Sequence, residues 1–372
     1  MIRRLIASRF RSLGQDVTLE LGPLTVLVGQ NGAGKSNLVD AFVFLSDCVQ
    51  RGLEVALGQR GGIQLVRYDG ARNPPDELRL RLEVEVDGVS GHYEIVLGGD
   101  RADDYQVRLE SAAWGPHQFE VRGAQWQGPA DLHPHVDARN LALPALAGDE
   151  RFAPLASAIR SVAAYNIRPD DLRKAQRYDP QRPLDRTGSH WLSTLRDLPE
   201  VEWKPELVTV LHKLAGVADV KLAQMGPFLV LHMRHDGDLG ARWDKWIEAA
   251  QESDGTLRMA GMMTALLQRP LPALLAFEEP ELTIHPGALA LLHDYLQEAA
   301  MDGQVLLTTH SPDFVSMVSI DQVRVVERIA DETRVAAVDA AQQAVVVRGL
   351  FSLGDVMRSE GLRARPLPLA GE

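Results

Sequence analysis

Gly29-Gln30-Asn31-Gly32-Ala33-Gly34-Lys35-Ser36 matches the pattern G-x-x-x-x-G-K-[ST], and its flanks give the match its weight. Leu24 to Val28 is a β-branched apolar run that reads as a buried parallel strand. Asn37 to Leu45 reads as a helix. A strand, a glycine loop and a helix start together place backbone N–H groups and a positive helix end around a phosphate chain. The glycines let the backbone turn tightly and approach the phosphates. Lys35 reaches the β- and γ-phosphates in such a loop, and the Ser36 hydroxyl ligates Mg²⁺. The stretch therefore predicts a nucleoside triphosphate site.

Working outward, residues 1–28 read as two strands and the phosphate-loop strand, with Gly22-Pro23 as the turn between. Leu78 to Val86 alternates apolar and polar residues. It predicts an antiparallel sheet with His92 to Leu97 and Tyr105 to Leu109. Residues 111–150 read as loop-rich, Ala153 to Ala164 as helix, and Arg168 to Arg186 as a solvated polar surface. His133 with His135, and His232 with His235, have ligand chemistry but fit an exposed loop and a hairpin turn as well.

Three features lie in the carboxyl-terminal third. Leu274 to Glu281 is an apolar strand ending in consecutive carboxylates; Glu278 suits the Mg²⁺ shell, and Glu279 suits orienting and deprotonating water. Val305 to Pro312 is a second strand, ending at His310. Ser253-Asp254-Gly255-Thr256 opens a helix and reads either as a cap or as a phosphate-facing terminus.

The bulk composition agrees with a globular chain. Of 372 residues, 45% are hydrophobic and 24% charged, which supports one large or two ordinary domains. No apolar run approaches the ~20 residues of a membrane span, and no signal-like segment opens the chain. The single cysteine, Cys48, cannot pair internally and reads as a small buried hydrophobe in a reducing cytoplasm. A net charge of −12 disfavours sequence-independent nucleic-acid binding by the whole surface.

Taken together these residues resemble the ABC-superfamily ATPases of the RecF, SMC and OLD type, and more narrowly the bacterial single-chain "AAA family ATPase" group of repair and anti-phage gene sets. The resemblance covers residues 1–60 and about 250–355, with Phe10-Arg11-Ser12 also fitting. It implies an α/β P-loop fold: a mostly parallel sheet, an antiparallel β-subdomain, an inserted helical lobe and no long coiled coil. The implied division is a core of residues 1–110 and 250–372 with residues 111–249 inserted.

It also implies an ATPase using ATP and Mg²⁺. Gly29, Asn31, Gly32, Gly34, Lys35, Ser36, Asn37 and Arg11 would lie on the nucleotide, with Ser36 and Glu278 on the metal. Glu279 and His310 would be catalytic, and Ser253, Asp254, Gly255 and Thr256 would act in trans on ATP held by a second copy. Leu282 to Pro286 matches the D-loop region. The signature departs from Ser-Gly-Gly-Gln, Glu278 replaces an aspartate, and the Q-loop glutamine is one of Gln64, Gln176 or Gln181. The implied partners are a homodimer mate and a separately encoded nuclease or toxin, with no membrane; DNA is favoured by the resemblance and disfavoured by the charge. Only 62 residues follow His310, so a self-contained OLD-type nuclease is not expected. The rival readings are a transporter's nucleotide-binding subunit and an ATP-binding scaffold without turnover.

Overall fold

The computed structural model describes residues 1–68, 77–101, 104–180, 183–238 and 245–366. Its centre is a six-stranded sheet. The strands run in the order Glu332–Ala337, Val323–Ile329, Leu24–Val28, Val305–Thr309, Leu274–Glu278, Val162–Tyr165. All neighbours are parallel except the outer Glu332–Ala337 strand. Leu24–Val28, Leu274–Glu278 and Val305–Thr309 are buried along their whole length. That explains why they read as continuous apolar runs rather than alternating ones.

A seven-stranded antiparallel sheet covers one side, in the order Val17–Glu20, Ile2–Ser8, Glu77–Val86, Val89–Arg101, Asp104–Trp114, His117–Arg122, Gln125–Gln127. Here alternation is kept: Leu78, Leu80, Leu82 and Val84 are buried, with more exposed residues between them. The helix Lys35–Arg51 is held between the two sheets. Leu38, Phe42, Leu45 and Cys48 share one core with Leu80 and Tyr93 of the antiparallel sheet and with Leu27 and Leu306 of the parallel one. Burial raises the Cys48 thiol pKa well above its ordinary value, in keeping with an inert core residue. On the opposite face Val26, Leu275 and Leu307 pack with the helices Trp191–Asp197, Glu200–Ala215, Asp254–Leu267 and Leu289–Asp302.

Several expected boundaries move. The division at residue 111 cuts the strand Asp104–Trp114, and residues 117–127 continue the antiparallel sheet instead of forming loops. Val162–Tyr165 leaves the expected helix, which ends at Arg160, and becomes an edge strand of the parallel sheet. Four apolar or small residues in a row are too short a run to separate strand from helix by periodicity. The Arg168 to Arg186 segment is not merely solvated surface, since Leu172, Gln176 and Leu184 are buried. The hairpin Val217–Met225 and Phe228–His235 forms a separate small sheet with Gln176–Arg177 and Ile247–Glu248. Beyond the parallel sheet lie two short helices, Ala340–Val347 and Leu353–Ser359. Lys35–Arg51, at 17 residues, is the longest helix among the described residues, so they contain no long coiled coil. None of the described helices is long and apolar enough to cross a membrane.

One buried acid ties the antiparallel sheet to the chain that follows it. Glu110 is fully buried and accepts hydrogen bonds from the Tyr93 hydroxyl at 2.9 Å, from Leu143 N at 2.9 Å and from Ala142 N. Burial pushes its pKa up to about 7, outweighing those three donors. The folded chain therefore binds this proton more tightly than the unfolded one. The associated stability is present below the unfolded pKa and lost as pH rises through about 7. Urea unfolding at pH 5 and pH 8 should show lower stability at pH 8, and Glu110→Gln should flatten that difference.

Candidate nucleotide site

The phosphate loop leaves the Leu24–Val28 strand and enters the helix at Lys35. Gly34 caps the helix with φ 108°, a left-handed backbone, and no side chain caps the terminus. The first amides of the helix are thus left to an anion. At Gly34 a Cβ would lie 2.1 Å from Thr333 Oγ1, and at Gly29 it would lie 2.0 Å from the Val326 carbonyl oxygen. Only glycine fits at either place. Asn31 and Gly32 are exposed on the loop, and Ser36 is exposed on the first helical turn. Lys35 is 6% exposed, and its Nζ donates to Gly29 O at 2.9 Å and Gln30 O at 3.1 Å. Burial lowers its pKa, while Glu279 and Glu281 nearby oppose that shift.

The loop is braced from behind. Thr333 Oγ1 donates to Ala33 O at 2.8 Å and lies 2.7 Å from Ser12 Oγ, which accepts from the Asn37 side-chain amide at 2.6 Å. Asn37, expected on the nucleotide, therefore uses its amide in the brace. Arg11, expected near the phosphates, donates from Nε to Asp40 Oδ2 at 2.7 Å, and Arg60 holds the other oxygen of Asp40 at 2.9 Å. The role of Thr333 had no signal in the sequence, because a threonine in a hairpin is ordinary strand chemistry.

The acids arrive from the neighbouring strands. Leu27 pairs with Thr308, and Thr308 with Glu278. At roughly 4.8 Å per strand, Glu278 lies about 10 Å from the phosphate-loop strand. Glu279 has φ 46°, and its N–H donates to Thr308 O at 2.9 Å. This left-handed residue ends the strand and sends the Glu279 carboxylate to 3.5 Å from His310 Nε2, a contact longer than a direct charged hydrogen bond. Burial first, and then Lys35, lowers the His310 pKa against the pull of Glu279 and Glu281, which favours a neutral imidazole at neutral pH.

Glu281 has a role the motif alone did not reveal. Its Oε1 accepts from Thr309 Oγ1 at 2.6 Å and from His310 N at 3.1 Å, so it fixes the backbone that carries the histidine. The third acid of Glu-Glu-Pro-Glu was the available signal.

Ser253 caps the helix Asp254–Leu267, accepting from Thr256 N at 3.2 Å. Thr256 is buried and its hydroxyl lies 2.8 Å from Ser253 Oγ, so it serves the cap. Asp254 pairs with Arg173 at 2.6 Å, and a Cβ at Gly255 would lie 2.6 Å from Thr283 O in the D-loop region. Ser253 and Asp254 are exposed. Of the glutamine candidates, Gln64 is exposed, Gln176 is buried and accepts from Leu192 N at 3.2 Å, and Gln181 lies outside the described residues. Of the histidine pairs, His235 contacts Glu252 at 2.7 Å, and His135 lies 3.6 Å from Asp137. Asp131, beside His133, instead pairs with Arg151 at 2.9 Å. Among the described residues no cluster of three or more His, Cys, Asp or Glu could hold a metal. Mg²⁺ needs less, one or two hard oxygen donors plus substrate phosphates, and Ser36 with Glu278 offers that donor set. A cavity of about 680 Å³, lined in part by Gly29 to Ala33, His310, Val326 to Ile329, Met357 and Glu360 to Arg363, opens beside the loop. Its volume suits a nucleotide.

A family profile described as "AAA domain, putative AbiEii toxin, Type IV TA system" (AAA_21) matches residues 24–316, from the phosphate-loop strand to just beyond His310. The chain belongs to the AAA_21 family. Among curated relatives, the DNA replication and repair protein RecF of Anaeromyxobacter dehalogenans is 29% identical over 258 residues, 66% of this chain and 65% of that protein. The chain thus spans just under two thirds of that relative. The OLD nuclease of Thermus scotoductus is 25% identical over 98% of this chain and 70% of its own length. Among solved structures, an Smc head bound to the C-winged helix domain of ScpA superposes with a TM-score of 0.57 at 13% identity, over 92% of this chain and 99% of that one. The SMC head domain of Thermotoga maritima gives 0.51 at 12%, over 91% and 99%. This AAA_21 chain is an ABC-superfamily ATPase domain of the RecF, SMC and OLD type.

The brace makes a definite expectation. Thr333→Ala removes the hydroxyl held by Ala33 O and Ser12, and should weaken ADP binding about tenfold, the size of one or two lost hydrogen bonds. Titration calorimetry on the folded variant measures it.

Proposed function

We propose that the chain is an ATP-hydrolysing switch that works as a dimer with two ATP molecules held between the subunits. The observation that supports this best is the grouping of Lys35, Glu279, Glu281 and His310 beyond the carboxyl ends of the central parallel strands. Lys35 leaves the loop carbonyls for the β- and γ-phosphates. Glu279 takes a proton from the attacking water, and neutral His310 donates a hydrogen bond toward the γ-phosphate. Glu281 keeps His310 in place. When bound through Ser36 and Glu278, Mg²⁺ supplies charge neutralisation at the phosphate oxygens.

The exposed Ser253 and Asp254 have their own-chain partners in Thr256 and Arg173, and the phosphate loop has its own in Ser12 and Thr333. The exposure of Ser253 and Asp254 fits a signature that serves a second copy. γ-Phosphate contacts from both subunits exist only with ATP, which gives ATP its preference for the closed dimer. The RecF relative is named for DNA replication and repair and the OLD relative for nuclease action, which favours work in bacterial DNA repair. A role in anti-phage defence in a reducing cytoplasm, with DNA or a separately encoded nuclease or toxin as partner, belongs to the same proposal.

Glu279→Gln should keep ATP binding and lose at least ~10²-fold in phosphate release, the loss expected for a general base; an unchanged rate would remove Glu279 from that role. Ser253→Arg should abolish ATP-dependent dimers in size-exclusion chromatography of the Glu279→Gln background, and dimers that persist would count against the trans signature.

A further inference from the structure

Arg186 has no part in the scheme above, yet its guanidinium sits on the acid assigned to the metal. Arg186 Nη2 donates to Glu278 Oε1, and the two form an ion pair. The Glu278 side chain is 7% exposed and that of Arg186 45%. The backbone that carries Arg186 is fixed. Asn166 N donates to Arg186 O at 2.7 Å and Arg168 N to Thr187 O at 3.0 Å, just past the edge strand Val162–Tyr165. The Asp185 carboxylate accepts from Thr187 N at 3.0 Å, Ser189 N at 2.8 Å and Thr187 Oγ1 at 3.2 Å. The Val162–Tyr165 strand pairs with Leu274–Glu278 directly, so Arg186 reaches Glu278 from the adjoining edge of the sheet.

A nearly buried carboxylate without a counter-charge is strongly disfavoured. For Glu278 the counter-charge is Arg186. Mg²⁺ draws on the same carboxylate, and a guanidinium beside it both occupies an oxygen and repels a divalent cation. We propose that Arg186 is the resident counter-ion of Glu278 and competes with Mg²⁺ for it, so that loading the metal requires the guanidinium to release the acid. This rests on Glu278 being the metal-holding acid. Removing the guanidinium deletes the competitor and leaves an uncompensated anion, and both effects tighten Mg²⁺ binding. An arginine that instead oriented the carboxylate for the metal would act in the opposite direction.

The test is a Mg²⁺ titration of fluorescent ADP-analogue binding to the full chain, with thermal melting beside it. Arg186→Gln should lower the Mg²⁺ midpoint about fivefold, the scale of one partly exposed ion pair. Arg186→Lys, which keeps the charge, should stay within about twofold of wild type on the same scale. The Arg186→Gln protein should melt lower without metal and gain more from Mg²⁺ with ADP than wild type does. An unchanged or raised midpoint in a folded Arg186→Gln protein overturns the competition. Glu278→Gln separates the two levels. If it shifts the midpoint while Arg186→Gln does not, only the competition fails; if it leaves the midpoint unmoved, the metal assignment fails and the competition with it.

Discussion

The structure depends on the parallel pairing of three strands distant in sequence. Leu24–Val28 lies beside Val305–Thr309, which lies beside Leu274–Glu278, in a register that sets Leu27, Thr308 and Glu278 side by side. A slip of one residue would turn every side chain of a strand to the other face. Both faces are buried, by different sets of residues, so the register is strongly held. Everything chemical follows from that alignment. The loop, the acid pair and the histidine all leave the carboxyl ends of these strands, one rim of the sheet, where the backbone turns away from its ladder and side chains become available to a ligand.

What surrounds the edge is a set of charges placed to need one another. Lys35 is buried against carbonyls, with Glu279 and Glu281 felt across the site. Glu278 is matched by Arg186, and Asp40 by Arg11 and Arg60. Around a phosphate-binding loop, such pairing avoids bare buried charge and leaves polar groups that a ligand can recruit by exchange rather than by fresh burial.

Much of this was legible in the residues. The apolar runs at Leu24, Leu274 and Val305 named the core strands, because a strand buried on both faces has no polar alternation to hide it. Glu278, Glu279 and His310 stood at strand ends, where side chains are free for chemistry. The Leu78 to Val86 alternation named the second sheet. What escaped was short or made across long sequence distances. Val162–Tyr165 has too few residues to show a period. Thr333 and Arg186 act through partners far away in the chain, and no local pattern marks a residue whose role is set by tertiary contact. Asn37 and Arg11 fit a motif by position, while their side chains are directed by Ser12 and Asp40.

The brace on the phosphate loop is made 300 residues away, by Thr333 on Ala33. During synthesis the loop precedes the hairpin that carries Thr333 by 300 residues, and its neighbouring strand Val305–Thr309 is also made long after it. At roughly 5–20 residues per second, that interval is on the order of tens of seconds. Until it passes, the Leu24–Val28 strand lacks both parallel neighbours and exposes apolar edges. Nascent chains therefore cross a period of exposed β-edge, and nucleotide, which binds the completed site, stabilises the finished fold by mass action.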